Sequence, residues 1–266
     1  MKYARSAIIA ALAIALAACS TSPRNEPEAA QAGTTYPVTL TTASGPVTIA
    51  AKPAAIVSLS PTATEMLFAI GAGDQVIAVD DQSNFPASAP TSELSGFTPN
   101  VEAIIGRKPD LVIVSNDIDG IVASLTAAAV AVVVQPAATS LEDTYAQLVE
   151  LGTATDHADQ AAAVVADMKS TIEAALAKAG TGEGLSVYHE LDNTLYSATS
   201  STFIGAVYKS FGLTNIADAA PDAASGYPQL SAEYLIAANP TLVFLADTKC
   251  CSVDAAQFAA RPGFNS

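Results

Sequence analysis

Apolar positions along the chain fall into two alternating kinds of segment. Short β-branched runs at 56–60, 76–79, 111–114 and 130–134 are apolar at nearly every position. That is the pattern of strands buried on both faces of a sheet. Between them, 64–70, 101–106 and 118–128 repeat apolar residues at helical spacing. Such alternation predicts a parallel sheet covered by helices on both sides. It resumes later, with strands predicted over 186–191, 215–217 and 242–246 and helices over 203–211 and 231–238.

A helical zone separates the two series. One predicted helix covers 141–151. A second covers 156–179, where Ala161, Val164, Val165, Met168, Ile172, Leu176 and Ala179 keep helical spacing. Asp156 is its expected N-cap and Gly180 its stop. No Gly or Pro occurs between 153 and 179. At about 1.5 Å per residue this helix is a rod of about 36 Å, longer than a small sheet needs as a crossover. It predicts a brace between two lobes.

The second series repeats the first. Val101-Glu102 leads to Pro109-Asp110-Leu111-Val112-Ile113, and Ala232-Glu233 leads to Pro240-Thr241-Leu242-Val243-Phe244. Each Glu precedes its Pro by seven positions and follows a cap-type residue, Asn100 or Ser231, by two. Both carboxylates therefore fall in the first turn of a helix, where the dipole favours negative charge. Helix stabilisation alone explains a single Glu there. A pair at matching positions suggests two similar lobes, each with an exposed carboxylate in the same place.

The N-terminus adds an address. Lys2 and Arg5 precede an apolar run at 7–18 that is too short to span a bilayer. This reads as a secretory signal peptide over 1–18. It closes on Leu16-Ala17-Ala18-Cys19, which resembles a bacterial lipobox and marks Cys19 for lipidation. Residues 19–51 read as a flexible tether whose tail, 38–49, alternates enough for a short hairpin around Ser44-Gly45. The expected organisation is a first α/β lobe over 52–152, an interlobe helix over 153–180 and a second α/β lobe over 181–266.

Charge and motifs remove several function classes. Without Lys2 and Arg5 the 11 basic residues become 9 against 26 acidic ones, a net −17. Such a chain suits neither nucleic acid nor an anionic lipid surface, and no later segment reaches the length of a spanning helix, so the lipid on Cys19 is the expected sole membrane anchor. Two His cannot build a His-rich zinc or manganese cage, and no CxxC is present. No G-x-S-x-G elbow or P-loop occurs, Gly71-Ala72-Gly73 lacks a third glycine in register, and nothing places a Ser-His-Asp triad. A secreted hydrolase is the distant alternative. Cys250 and Cys251 are adjacent; a strained vicinal disulfide and two free thiols are both open.

Taken together, Ile56-Val-Ser-Leu-Ser-Pro-Thr-Ala-Thr-Glu65 with Ala69-Ile-Gly-Ala-Gly-Asp74 resembles the opening of the iron-chelate/cobalamin class of ABC importer binding proteins. Arg107-Lys-Pro-Asp-Leu-Val-Ile113 and Ala238-Asn-Pro-Thr-Leu-Val-Phe244 resemble its lobe repeats, and Arg261-Pro-Gly-Phe-Asn-Ser266 a late motif. The likeness covers 52–266. It implies two Rossmann-like lobes joined by a rigid helix, the class III periplasmic-binding-protein fold, with ligand in the cleft between them. It also implies that Glu102 and Glu233 dock onto arginines of a permease dimer. Family members usually continue past the Arg-Pro-Gly motif, so an incomplete second lobe is expected.

In parallel sheets ligands bind beyond the carboxyl ends of the strands. That rule nominates Pro61, Thr62, Asp81, Phe85, Phe97 and Asn116 in the first lobe. In the second it nominates His189, Glu190, Tyr196, Tyr227 and Asp247. With no Trp in the chain, Phe85, Phe97, Tyr196 and Tyr227 are the flat surfaces on offer. His189 reads either as a metal ligand or as a hydrogen-bonded strand-end residue. The 61–65 stretch and the 81–86 loop resemble cobalamin binders most. The nominated cleft is poor in cations, with Lys249 and Arg261 nearest, which disfavours strongly anionic chelates. The expected ligand is a corrinoid, with a hydroxamate siderophore or haem as alternatives. A monomer with no resident cofactor or metal is expected.

Overall fold

The β-branched runs form two separate parallel sheets in a computed structural model that describes residues 33–264. The expected signal peptide, Cys19 and the first part of the tether lie outside the described residues.

The first sheet holds β3 (Ile56–Leu59), β4 (Val76–Val79), β5 (Leu111–Val114) and β6 (Ala131–Val134), in the order β4-β3-β5-β6. Every residue of β3 and β5 is buried, as strands covered on both faces require. Side-chain alternation divides them between two cores. Ile56, Leu111, Ile113 and Val133 pack on one face with α1 (Pro61–Ala69) and α4 (Leu141–Thr155). Val57, Leu59, Val112, Val114 and Val132 pack on the other with α2 (Val101–Ile105) and α3 (Ile121–Ala127).

The second sheet is smaller, ordered β8-β7-β9, from β7 (Ser186–Glu190), β8 (Thr214–Asn215) and β9 (Leu242–Leu245). Its helices are α6 (Phe203–Ser210), α7 (Ala232–Ala238) and α8 (Ala255–Ala259). Tyr188, Ile216, Leu230 and Leu235 centre a core joined by Phe258 and Phe264. The strand expected at 215–217 is shorter. Asn215 ends it by accepting the Ala217 N–H at 3.0 Å, which starts a 3₁₀ turn over Ile216–Ala219.

Between the sheets runs α5 (Ala158–Ala179), 22 residues long, about 33 Å. Ala161, Val164, Val165 and Met168 join the first lobe's core, and Ala161 is its single fully buried side chain. Gly152 of α4 makes the corner possible, because a Cβ there would meet the Ala161 Cβ at 2.5 Å.

Two expectations are corrected at this corner. Asp156 is not the N-cap of α5. It sits in the left-handed region at φ 65°, as the C-cap of α4, and His157 takes the N-cap place. Its carboxylate instead accepts the Thr34 N–H and forms an ion pair with Lys52 at 3.0 Å. Nor does folded sequence begin near Lys52. The hairpin β1 (Val38–Thr42) and β2 (Gly45–Ile49) buries Leu40 and Ile49 in the first lobe's core, and Tyr36 donates to the Ala154 carbonyl at 2.9 Å. The hairpin turn falls at Ala43-Ser44, one position before the expected Ser44-Gly45, and the segment is wall rather than tether.

Leu40→Ala should therefore lower stability by about 2–4 kcal/mol, the usual cost of truncating a buried Leu. Urea unfolding monitors it; an unchanged midpoint would return the hairpin to the tether.

Candidate functional site

Because all strands of each sheet are parallel, their carboxyl ends share an edge, and the residues that follow them make the candidate site. In the first lobe that edge is held by short polar links. Ser60 leaves β3 and caps α1 by accepting the Ala63 N–H at 3.3 Å. Thr64 of α1 donates to Ser58 at 2.9 Å and meets Ser83 at 3.0 Å, so hydroxyls tie the loop after β4 to α1. Buried Asp80 accepts the Gln82 and Ser83 N–H groups and sets the path of that loop.

Ser60 also borders a cavity of about 200 Å³ lined with Pro61, Thr62, Ser115, Gln135 and Gln147. Gln135, buried at the end of β6, donates to Glu150 at 2.7 Å and to the Gln147 carbonyl at 3.1 Å. Burial pushes the Glu150 carboxyl upward, against the lowering effect of the Gln135 bond. The nominated Pro61 and Thr62 thus meet in one hollow. Phe85 does not join them. It borders a separate hollow of about 350 Å³ with Met66, Phe68, Leu148 and Met168. Asp81 and Asn116 are exposed, and Phe97 is 73% exposed.

In the second lobe, strand alternation separates neighbours. Glu190 shares a face with Tyr188 and is fully buried beneath the edge, rather than lining an open rim. Arg261 donates to both its oxygens, at 2.7 and 2.6 Å, and the Tyr188 hydroxyl donates to it at 3.1 Å. The Arg261 guanidinium also lies 4.9 Å from the Phe258 ring centroid. Asp247, just beyond β9, is fully buried beside this pair, and neither of its oxygens accepts a hydrogen bond from a donor group among the described residues. Loss of water first, then the charge of Glu190, push its carboxyl upward.

His189 turns to the opposite face. Its Nδ1 lies 2.7 Å from the Tyr208 hydroxyl, its ring packs on Tyr208, and its buried Nε2 has no partner among the described residues. Burial pushes its pKa down, favouring the neutral ring. Tyr196 and Tyr227 come close through the backbone. Segments 195–199 and 226–230 pair, with Ser197 N–H on the Pro228 carbonyl at 3.0 Å and Thr199 N–H on Gly226 at 2.9 Å. Both rings remain open, 40% and 49% exposed.

The repeated glutamates occupy equivalent places. Glu102 and Glu233 are each the second residue of a helix, exposed, with Asn100 and Ser231 capping through the Ala103 and Tyr234 N–H groups. Three features escaped sequence reasoning: the Ser58–Thr64–Ser83 hydroxyl chain, the Gln135–Glu150 bond and the Glu190–Arg261 clamp. Ser58 and Glu190 carried a signal, as polar residues inside strands expected to be buried.

Residues 56–266 match a family described as "Periplasmic binding protein". A protein named cobalamin-binding protein from Halobacterium salinarum is 32% identical over 249 residues, covering 89% of this chain and 67% of that protein. YvrC of Bacillus subtilis, named an uncharacterized ABC transporter substrate-binding lipoprotein, is 31% identical over 259 residues, covering 91% and 81%. Among solved structures, a possible iron-binding (periplasmic solute-binding) protein from Staphylococcus epidermidis superposes with a TM-score of 0.69 at 24% identity. The match covers 81% of this chain and 85% of that one. At that identity the likeness speaks for the fold.

Arg261→Ala leaves Glu190 buried without its cation, which should cost about 3 kcal/mol by urea unfolding. Asp247→Asn tests the neighbouring acid. With its folded pKa raised, Asp247 holds a proton that the unfolded chain sheds above about pH 4, so it makes stability fall as pH rises. The Asn variant should gain more over the parent at pH 8 than at pH 5. An equal gain at both would contradict a raised Asp247.

Proposed function

The chain belongs to the periplasmic binding protein family, and from that premise we propose that it captures a corrinoid and delivers it to an ABC permease. The observation that carries this reading is the 32% identity, over 89% of the chain, to a protein named cobalamin-binding protein. In this reading the carboxyl edges of the two sheets face a shared cleft. Tyr196 and Tyr227 offer flat surfaces to the macrocycle from the second lobe. Pro61 and Thr62 border the hollow that receives the opposite side. Phe97 adds an exposed ring, and Asp81 and Asn116 offer polar partners to peripheral amides. Few cations line these positions, which suits a ligand without strong net negative charge. His189, held by Tyr208, is the one imidazole near the second edge, and it favours haem as the second reading.

Delivery in this proposal rests on Glu102 and Glu233. Exposed carboxylates at matching places on two lobes steer a docking partner electrostatically and fix its register. The lipid on Cys19 keeps the protein beside its permease, on the extracytoplasmic face of the membrane. Stiff α5 limits lobe closure to a small rotation.

Titration of the purified protein with cyanocobalamin, a ferric hydroxamate and haemin, read by Tyr fluorescence, tests the ligand. Saturable binding of cyanocobalamin alone is expected; haemin binding that is lost in His189→Ala would move the reading to haem. For docking, the Glu102→Ala/Glu233→Ala double variant should keep ligand affinity within about twofold and lose uptake. Weakened affinity would instead place these residues in the binding machinery.

A further inference from the structure

The turn that follows β9 sets two cysteines side by side, both exposed. A single oxygen fixes them to the strand end. The Asp247 carbonyl accepts the Cys250 Sγ–H at 3.6 Å and the Cys251 N–H at 3.0 Å. Ser252, in the left-handed region at φ 57°, turns the chain away immediately afterwards. The two residues are adjacent in the chain and share this turn. Hydrogen bonding with Cys250 is the first cause that pushes the Cys251 thiol up to about 11, followed by loss of water and the charges of Cys250, Asp247 and Asp192. No group of three or more His, Cys, Asp or Glu able to hold a metal occurs among the described residues, so this pair stands apart from any metal cluster.

We propose that Cys250 and Cys251 form a redox-modification site, a vicinal dithiol that closes reversibly to a disulfide by exchange with a small-molecule or protein disulfide. One thiolate attacks the incoming disulfide, forms a mixed disulfide and expels one thiolate. The neighbouring sulfur then loses its proton and displaces the second thiolate, completing the ring. The cysteine pair gives up two electrons and two protons; the incoming disulfide takes them and leaves as two thiols. Exposure of both sulfurs gives the oxidant access. Adjacency in the chain makes the second displacement intramolecular, so the ring outcompetes a lasting adduct.

Closure has a local consequence and a built-in reversal. It removes the Cys250 S–H donor from the Asp247 carbonyl and so loosens one of the two bonds that hold the turn. Neighbouring Cα atoms are about 3.8 Å apart, below the usual disulfide range, and such strain makes the bond easy to reduce. The charge of Asp192, which begins the turn leading to Tyr196, is the smallest of the causes that raise Cys251. The inference stands on the cysteines' geometry and does not depend on which ligand is bound.

The test uses the detergent-solubilised full chain, reduced, freed of reductant and incubated with oxidised glutathione. Acid quenching, alkylation and peptide mapping then report the state of positions 250–251. The expected peptide is lighter by two hydrogens and carries no alkyl group. Excess reduced glutathione returns it to the doubly alkylated form. Cys250→Ser and Cys251→Ser should each hold a stable glutathione adduct on the remaining sulfur. Glutathione retained on the unsubstituted pair, a bridge to a second chain, or two thiols still alkylatable after oxidation would each overturn the proposal.

Discussion

A strand in a parallel sheet cannot return directly to its neighbour; the chain must cross over before it enters again in the same direction. That constraint organises this molecule. Apart from the β1-β2 hairpin, every strand of each sheet points the same way, so the residues after β3, β4, β5 and β6 gather along one edge, and those after β7, β8 and β9 along another. Crossover segments occupy the faces, and the buried strands pay their backbone polarity into the ladder. What remains free to vary is the edge, where Pro61 and Thr62 sit in one lobe and Tyr196 and Tyr227 in the other.

Both edges are stabilised by polar groups beneath them, in different ways. The first uses uncharged links, the hydroxyls of Ser58, Thr64 and Ser83, with Asp80 accepting two backbone N–H groups. The second uses charge, with Arg261 on both oxygens of buried Glu190 and Asp247 alongside. Arg261 is committed to Glu190, so the second buried acid beside it, Asp247, is the member driven upward by loss of water and by the Glu190 charge. A bidentate guanidinium fixes α8 and the Arg261 turn to the end of β7, so the positions of β7, β9 and the turn that carries the cysteines are linked.

Much of this was readable from the chain alone. Uninterrupted β-branched runs located the strands closely, because a strand buried on both faces has no other pattern. The Glu-to-Pro spacing placed Glu102 and Glu233 at equivalent helix starts, since capping is local chemistry. Features that depend on contacts across the chain were not readable. Asp156 looks like an N-cap until Thr34 and Lys52, more than a hundred residues earlier, are seen to claim its carboxylate. The hairpin over 38–49 is visible as alternation, but its burial against α4 is not. Period two placed His189 and Glu190 on opposite faces, yet which face each took was settled by Tyr208 on one side and Arg261 on the other.

The central claim is that one guest bridges the two carboxyl edges, and a crystal structure of the protein with bound cyanocobalamin tests it most directly. The corrinoid is expected between the lobes, in contact with Pro61 or Thr62 on one side and with Tyr196 or Tyr227 on the other. Density confined to a single lobe, or on a surface away from both edges, would contradict the account.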